Sequence, residues 1–184
     1  MIAPVIDTVR NHAAAMPGRL AVGCAETGRR WSWADQDRAV DRAASWLVSR
    51  LGQKSGARVA VLGRNHPCQL ILQHACSRAG AIFVPLNWRL AQAEIAQLMA
   101  DADPKLFFHD AEFNVPPTSA ELHLMSSLES LGEAGTRAPD SARNGWDDPM
   151  TLLYTSGTSG RPKGVIYTEA NAFWGPCNFA LGSM

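Results

Sequence analysis

Residues 154–164 read Tyr154-Thr155-Ser156-Gly157-Thr158-Ser159-Gly160-Arg161-Pro162-Lys163-Gly164. Three glycines, four aliphatic hydroxyls and one lysine fall within eleven residues. Glycine lets a backbone turn with positive φ and come close to a ligand. Successive free N–H groups in such a turn form a concave anion site. Hydroxyls add donors, and Lys163 adds a mobile positive charge. That combination suits the gripping of a polyphosphate. The stretch is not a Walker A loop: counted from Gly157, the glycine due before the lysine is Pro162, and Gly164 stands where Ser or Thr is required. A flexible linker needs no Arg-Pro-Lys-Gly order and no strands on both sides.

The flanks are strand-like. Met150 to Tyr154 is a short apolar run, and Gly164 to Thr168 is rich in β-branched and aromatic residues. The loop therefore joins two strands as a long hairpin connection. Upstream, apolar runs alternate with helical patterns. Helices are predicted from Val5 to Ala15, behind an N-cap at Ser32 with Asp35, from Pro67 to Gly80, and from Ala91 to Asp101. Inward residues are Val40, Ala43, Leu47 and Leu51; then Leu70, Ile71, Ala75 and Ala79; then Ile95, Leu98 and Met99. Strands are predicted at 20–24 and 29–31, and at 58–62, 81–86, 105–109 and 121–125. The expected fold is α/β, a mostly parallel sheet with helices on both faces, followed by the β-hairpin. Three parts are expected: residues 1–125 as an α/β subdomain, 126–149 as a surface connection, and 150–184 as the phosphate-loop hairpin and the start of a helix.

The chain has 184 residues, 46% hydrophobic and 18% charged, with a formal net charge of zero. This fits a globular protein with a sizeable core and offers nothing to nucleic acid or an anionic membrane surface. No apolar run reaches the length of a membrane span, and Asp7 interrupts any signal-like segment. Cys24, Cys68, Cys76 and Cys177 form no CxxC pair, so reduced thiols in a cytoplasmic protein are expected. His66, Cys68, His74 and Cys76 form a tempting metal set. Residues eight apart on a helix are offset by about 80°, so the two histidines share a side only loosely, and no metal is expected on that set. Asp147 and Asp148 read as a turn before Pro149. The six tryptophans read as packing residues.

The run from Tyr154 to Gly164 closely resembles the phosphate-binding loop of the adenylate-forming (AMP-binding) enzymes. Trp31-Ser32-Trp33-Ala34-Asp35, Arg58 to Leu62, Gly80 to Asn87 and Asp148-Pro149 fall in the family's order, so the resemblance covers nearly all of the chain. Pro85-Leu86-Asn87-Trp88-Arg89-Leu90 is similar to the acyl-CoA synthetase, or fatty-acid–CoA ligase, branch. The resemblance implies ATP, Mg2+ and CoA as co-reactants and a small carboxylic acid as substrate. It assigns Thr155, Ser156, Gly157, Thr158, Ser159, Gly160, Lys163 and Gly164 to the ATP phosphates, with Thr155 as a possible Mg2+ ligand.

Two positions depart from the family pattern. Glu169 stands where His is common and Ala170 where Arg is common. Glu169 either alters the nucleotide side or caps the following helix, and the second reading is preferred. Family members are about three times this length, so the chain reads as their N-terminal piece, inactive alone. The alternative is a non-catalytic module kept for folding or self-association, with a vestigial loop. Bared apolar surface predicts a homo-oligomer, and the glycine-rich loop is expected to be mobile without nucleotide.

Overall fold

Strand β3 (Arg58–Leu62) shows why this sequence forms layers. It is apolar on both faces: Val59 and Val61 enter one core, and Ala60 and Leu62 the other. Such a strand must be covered on each side. In the computed structural model, which describes residues 5–53, 55–131, 145–155 and 162–182, helices supply that cover.

The elements run α1 (Thr8–Ala15), β1 (Leu20–Gly23), β2 (Arg30–Ser32), α2 (Trp33–Leu51), β3, α3 (Pro67–Ala79), β4 (Ile82–Leu86), α4 (Gln92–Ala102), β5 (Leu106–His109) and β6 (Glu121–Leu124). A 3-10 helix (Met125–Ser130), β7 (Pro149–Thr155), β8 (Lys163–Thr168) and α5 (Glu169–Gly182) complete the order. β1 and β2 form a small antiparallel pair. The other strands make one six-stranded sheet in the order β6-β5-β3-β4-β7-β8. All its neighbours are parallel except β7 with β8. The fold is thus α/β with a mostly parallel sheet, and the hairpin strands continue that sheet through β4.

One face packs on α2 and α3 through Val40, Leu47, Ile71, Leu72, Ala75 and Phe108. The other packs on α4 through Ile95, Leu98, Met99 and Phe107. Leu70 departs from the predicted inward set: it is exposed, and Leu72 is buried instead. Both fit an apolar run of α3, and only the position of α2 selects between them.

Local signals set the helix ends. Ser32 and Asp35 form a capping box on α2. Gly80 ends α3 at φ 70°, a conformation that glycine adopts without a Cβ penalty. α1 begins at Thr8, later than expected, because Asp7 caps it by accepting the Arg10 N–H at 3.0 Å. Asp148 forms the expected turn before Pro149, accepting the Gly145 N–H at 2.7 Å. Most of the predicted surface connection, residues 132–144, lies outside the described residues. No described helix is long and apolar enough to cross a membrane.

Candidate functional site

β7 runs parallel to β4 and ends at Thr155, and β8 starts at Lys163 and returns antiparallel. Thr155 and Lys163 are direct register partners, and both are exposed. Opposed Cα atoms in such a pair lie about 4.5–5.5 Å apart. The intervening chain must therefore leave and return at nearly one point. Ser156, Gly157, Thr158, Ser159 and Gly160, with the mobility expected of them, lie outside the described residues. Among the described residues Lys163 makes no ion pair, so its charge is available at the mouth of the hairpin.

This mouth opens at the carboxyl edge of the parallel strands, where open α/β sheets bind ligands. β3 sends its chain to α3 on one face and β4 sends its chain to α4 on the other, so the strand connections diverge there. Phe83 pairs with Thr151, and Asn87 and Thr155 each lie four residues further along. Leu62 pairs with Leu86 on one side and His109 on the other, which sets Gly63 between Asn87 and Asp110. The row contains one tight spot: a Cβ on Gly63 would lie 2.7 Å from Asp110 Oδ2, so a larger residue would have to displace the Asp110 carboxylate. The Arg64 N–H donates to that same oxygen at 2.9 Å.

Side chains to which sequence reasoning gave no site role stand along this edge. Arg64 donates to Glu112 at 2.7 Å and holds the Glu112 carboxyl below its ordinary range. The Arg64 and Arg89 guanidiniums lie 4.5 and 4.2 Å from the Trp88 ring centroid. The one available signal was position, since Arg64 and Trp88 each follow a predicted strand end. Tyr154, just before the loop, donates its hydroxyl to Asp101 Oδ2 at 2.5 Å and so ties β7 to α4. Gly164 lies within β8, where an added Cβ would sit 2.9 Å from Leu152 Cδ1 and 3.4 Å from Tyr154 Cε1.

Glu169 corrects an expectation. It does not cap α5, because Thr168 does: Asn171 N donates to Thr168 Oγ1 at 3.2 Å and Thr168 N donates to Asn171 Oδ1 at 3.0 Å. Glu169 is the first helical residue and is buried, and it accepts the Ser77 hydroxyl at 2.6 Å. Six residue steps along the strand separate it from Lys163, about 20 Å at 3.4 Å each. That is well beyond the screening length of about 8 Å. Glu169 lines a cavity of about 110 Å³ with Asp7, His74, Ser77, Arg78 and Phe173, at the other end of the sheet.

The four-residue metal set does not assemble. His66 caps α3 and Cys68 lies in its first turn; His74 lines the distant cavity; Cys76 is fully buried, its thiol pushed up by burial.

The family description "AMP-binding enzyme" matches residues 9–182. Among curated relatives, feruloyl-CoA synthase from Amycolatopsis is 39% identical over 153 residues, covering 82% of this chain and 31% of the relative. Indoleacetate–CoA ligase from Aromatoleum aromaticum is 35% identical, covering 94% of this chain and 36% of the relative. Among solved structures, o-succinylbenzoate CoA synthetase from Bacillus subtilis in complex with AMP superposes with a TM-score of 0.82 at 27% identity. It covers 95% of this chain and 45% of that one. An inhibitor-bound N-terminal domain of FACL13 from Mycobacterium tuberculosis gives 0.78 at 27% identity, covering 91% and 45%. The chain spans about a third of the length of these curated relatives.

Proposed function

The chain belongs to the AMP-binding enzyme family, and from that premise we propose that it supplies the triphosphate grip of an ATP-dependent acid–CoA ligase. Such an enzyme makes an acyl-adenylate and pyrophosphate from a carboxylate and ATP, and CoA thiol then displaces AMP to give the thioester. The observation that carries the reading is the opposition of Thr155 and Lys163 at the carboxyl end of β7, both facing solvent.

In this reading the amides and hydroxyls of Ser156, Gly157, Thr158, Ser159 and Gly160 surround the β- and γ-phosphates, and Gly164 closes the hairpin. Lys163 offsets the charge that builds on the departing pyrophosphate. The Thr155 hydroxyl, at the loop's entrance, is suited to hold Mg2+, which when bound neutralises phosphate charge. Tyr154 and Asp101 fix the height of that entrance above α4. The Arg64–Trp88–Arg89 group along the same edge adds positive charge near an anionic ligand.

About two thirds of each relative's length has no counterpart in these 184 residues, so the polypeptide alone is expected to bind nucleotide without turning it over. Calorimetric titration with MgATP or pyrophosphate, followed by pyrophosphate exchange, tests both parts. Absence of binding sinks the grip, and exchange by this chain alone sinks the inactivity.

A second reading, a non-catalytic module that self-associates, is favoured by one observation. Leu153 and Val165 face each other across β7 and β8 and are exposed, as is Ile166 on the edge strand. A homo-oligomer that covers these residues would be indifferent to Lys163.

A further inference from the structure

We propose that His66, Cys68 and Glu129 form a binding site for a thiophilic divalent metal ion of the zinc class, separate from the nucleotide grip. One ligand atom from each lies within 4.8 Å of the other two. They come from three places in the chain: the cap before α3, the first turn of α3, and the 3-10 helix after β6. Only the tertiary fold brings Glu129 to a His-x-Cys pair that on its own offers too few ligands.

The spacing suits a tetrahedral ion. Zn–S of about 2.3 Å and Zn–O of about 2.0 Å at a tetrahedral angle put sulfur and oxygen about 3.5 Å apart. Cys68 Sγ and Glu129 Oε1 are 3.8 Å apart. The two carboxylate oxygens of Glu129 are divided: Oε1 faces Cys68, while Oε2 accepts from Arg29 at 2.7 Å. An outer partner of this kind orients a ligating carboxylate. His66 Nδ1 accepts the Cys68 N–H at 3.2 Å as the cap of α3, a bond the imidazole gives up when it ligates the ion, because a neutral ring has one acceptor nitrogen.

Charge balance answers the objection that a helix N-terminus and Arg29 repel a cation. A thiolate and a carboxylate together cancel a divalent ion, so the filled site is neutral. The Cys68 thiol proton leaves to solvent as the metal–sulfur bond forms. His66 also lines a groove of about 420 Å³ with Cys24, Glu26 and Asn65 on its walls.

Titration of the full chain with Co2+, followed by competition with Zn2+, tests the site. A single saturable equivalent with a thiolate-to-cobalt charge-transfer band is expected, displaced by Zn2+. Cys68→Ser should abolish the band, while Cys24→Ser and Cys177→Ser should keep it. Glu129→Gln, on a half-exposed side chain, should weaken Zn2+ affinity at least about tenfold. It decides the matter should Cys68→Ser lose its circular dichroism signature. Absence of saturable binding, a band that survives Cys68→Ser, or Glu129→Gln binding like the parent overturns the proposal.

Discussion

Tyr154 donates its hydroxyl to Asp101 Oδ2 at 2.5 Å, linking the last turn of α4 to the strand that enters the phosphate loop. Burial and the adjoining carboxylate hold this phenol above its ordinary value, so it stays a donor throughout the physiological range. Tyr154→Phe keeps the ring packed on the α4 core and deletes only the bond. A loss of about 0.5–1.5 kcal/mol is expected in urea unfolding. A parent-like midpoint would show that α4 and β7 are held by packing alone.

Lys163 should matter to binding and not to folding. It is exposed and has no ion pair among the described residues. Lys163→Ala should leave the thermal midpoint unchanged while weakening MgATP or pyrophosphate binding about tenfold to a hundredfold, the worth of a charged hydrogen bond. Equal affinity in calorimetry would remove Lys163 from the grip and favour the self-associating module.

Glu169 should be silent toward nucleotide despite its charge. The β8 register and the Ser77 contact hold it at the far end of the strand from Lys163. Glu169→Gln is expected to keep MgATP affinity within about twofold of the parent, since screening extends only about 8 Å. A rise of tenfold or more would mean that its carboxylate reaches the phosphates.

Several parts of this arrangement were legible in the sequence because they are local. Ser32 with Asp35, and Gly80, mark helix ends within a few residues of themselves, and each stands at a helix boundary. The hairpin flanks were legible from β-branched runs. Glu169 was misjudged by one position, because a Thr168–Asn171 box competes with an acid for the same helix start. The strand order was not legible: nothing local tells β5 to cross back beside β3 while β7 takes the other side of β4. The Arg64–Trp88 stack and the approach of Glu129 to Cys68 depend on that order. The gathering of Asp7, Asp37 and Asp41 around Arg78 depends instead on how α1, α2 and α3 pack together.

The exposed pair Leu153–Val165 and the neighbouring Ile166 should drive association. Ile166→Lys puts a charge on the sheet edge, a device that blocks strand-edge pairing. Light scattering should then show a smaller mass than for the parent at the same concentration. A monomeric parent would leave the edge without this role.

Arg78 is 6% exposed at its side chain and pairs with Asp7 at 2.7 Å, Asp37 at 2.5 Å and Asp41 at 2.7 Å, joining α1, α2 and α3. Burial alone would raise the Asp7 carboxyl, but the Arg78 hydrogen bonds and charge, aided by the Arg10 amide, bring it below its ordinary value. A carboxyl depressed in the folded state stabilises fully above the unfolded value of about 4. That stabilisation fades as pH falls through the lower folded value. Urea midpoints should therefore drop as pH falls below about 4 in the parent. Asp7→Asn should be less stable near neutral pH and flatter across that window. Arg78→Met leaves the three carboxylates only Arg10, 2.6 Å from Asp41 and 3.9 Å from Asp37, and should cost about 3–5 kcal/mol near neutral pH. Its deficit should shrink on acidification, as the carboxylates it leaves behind take up protons. A deficit that stays constant down to pH 2 would mean that Arg78 acts through packing and not through charge.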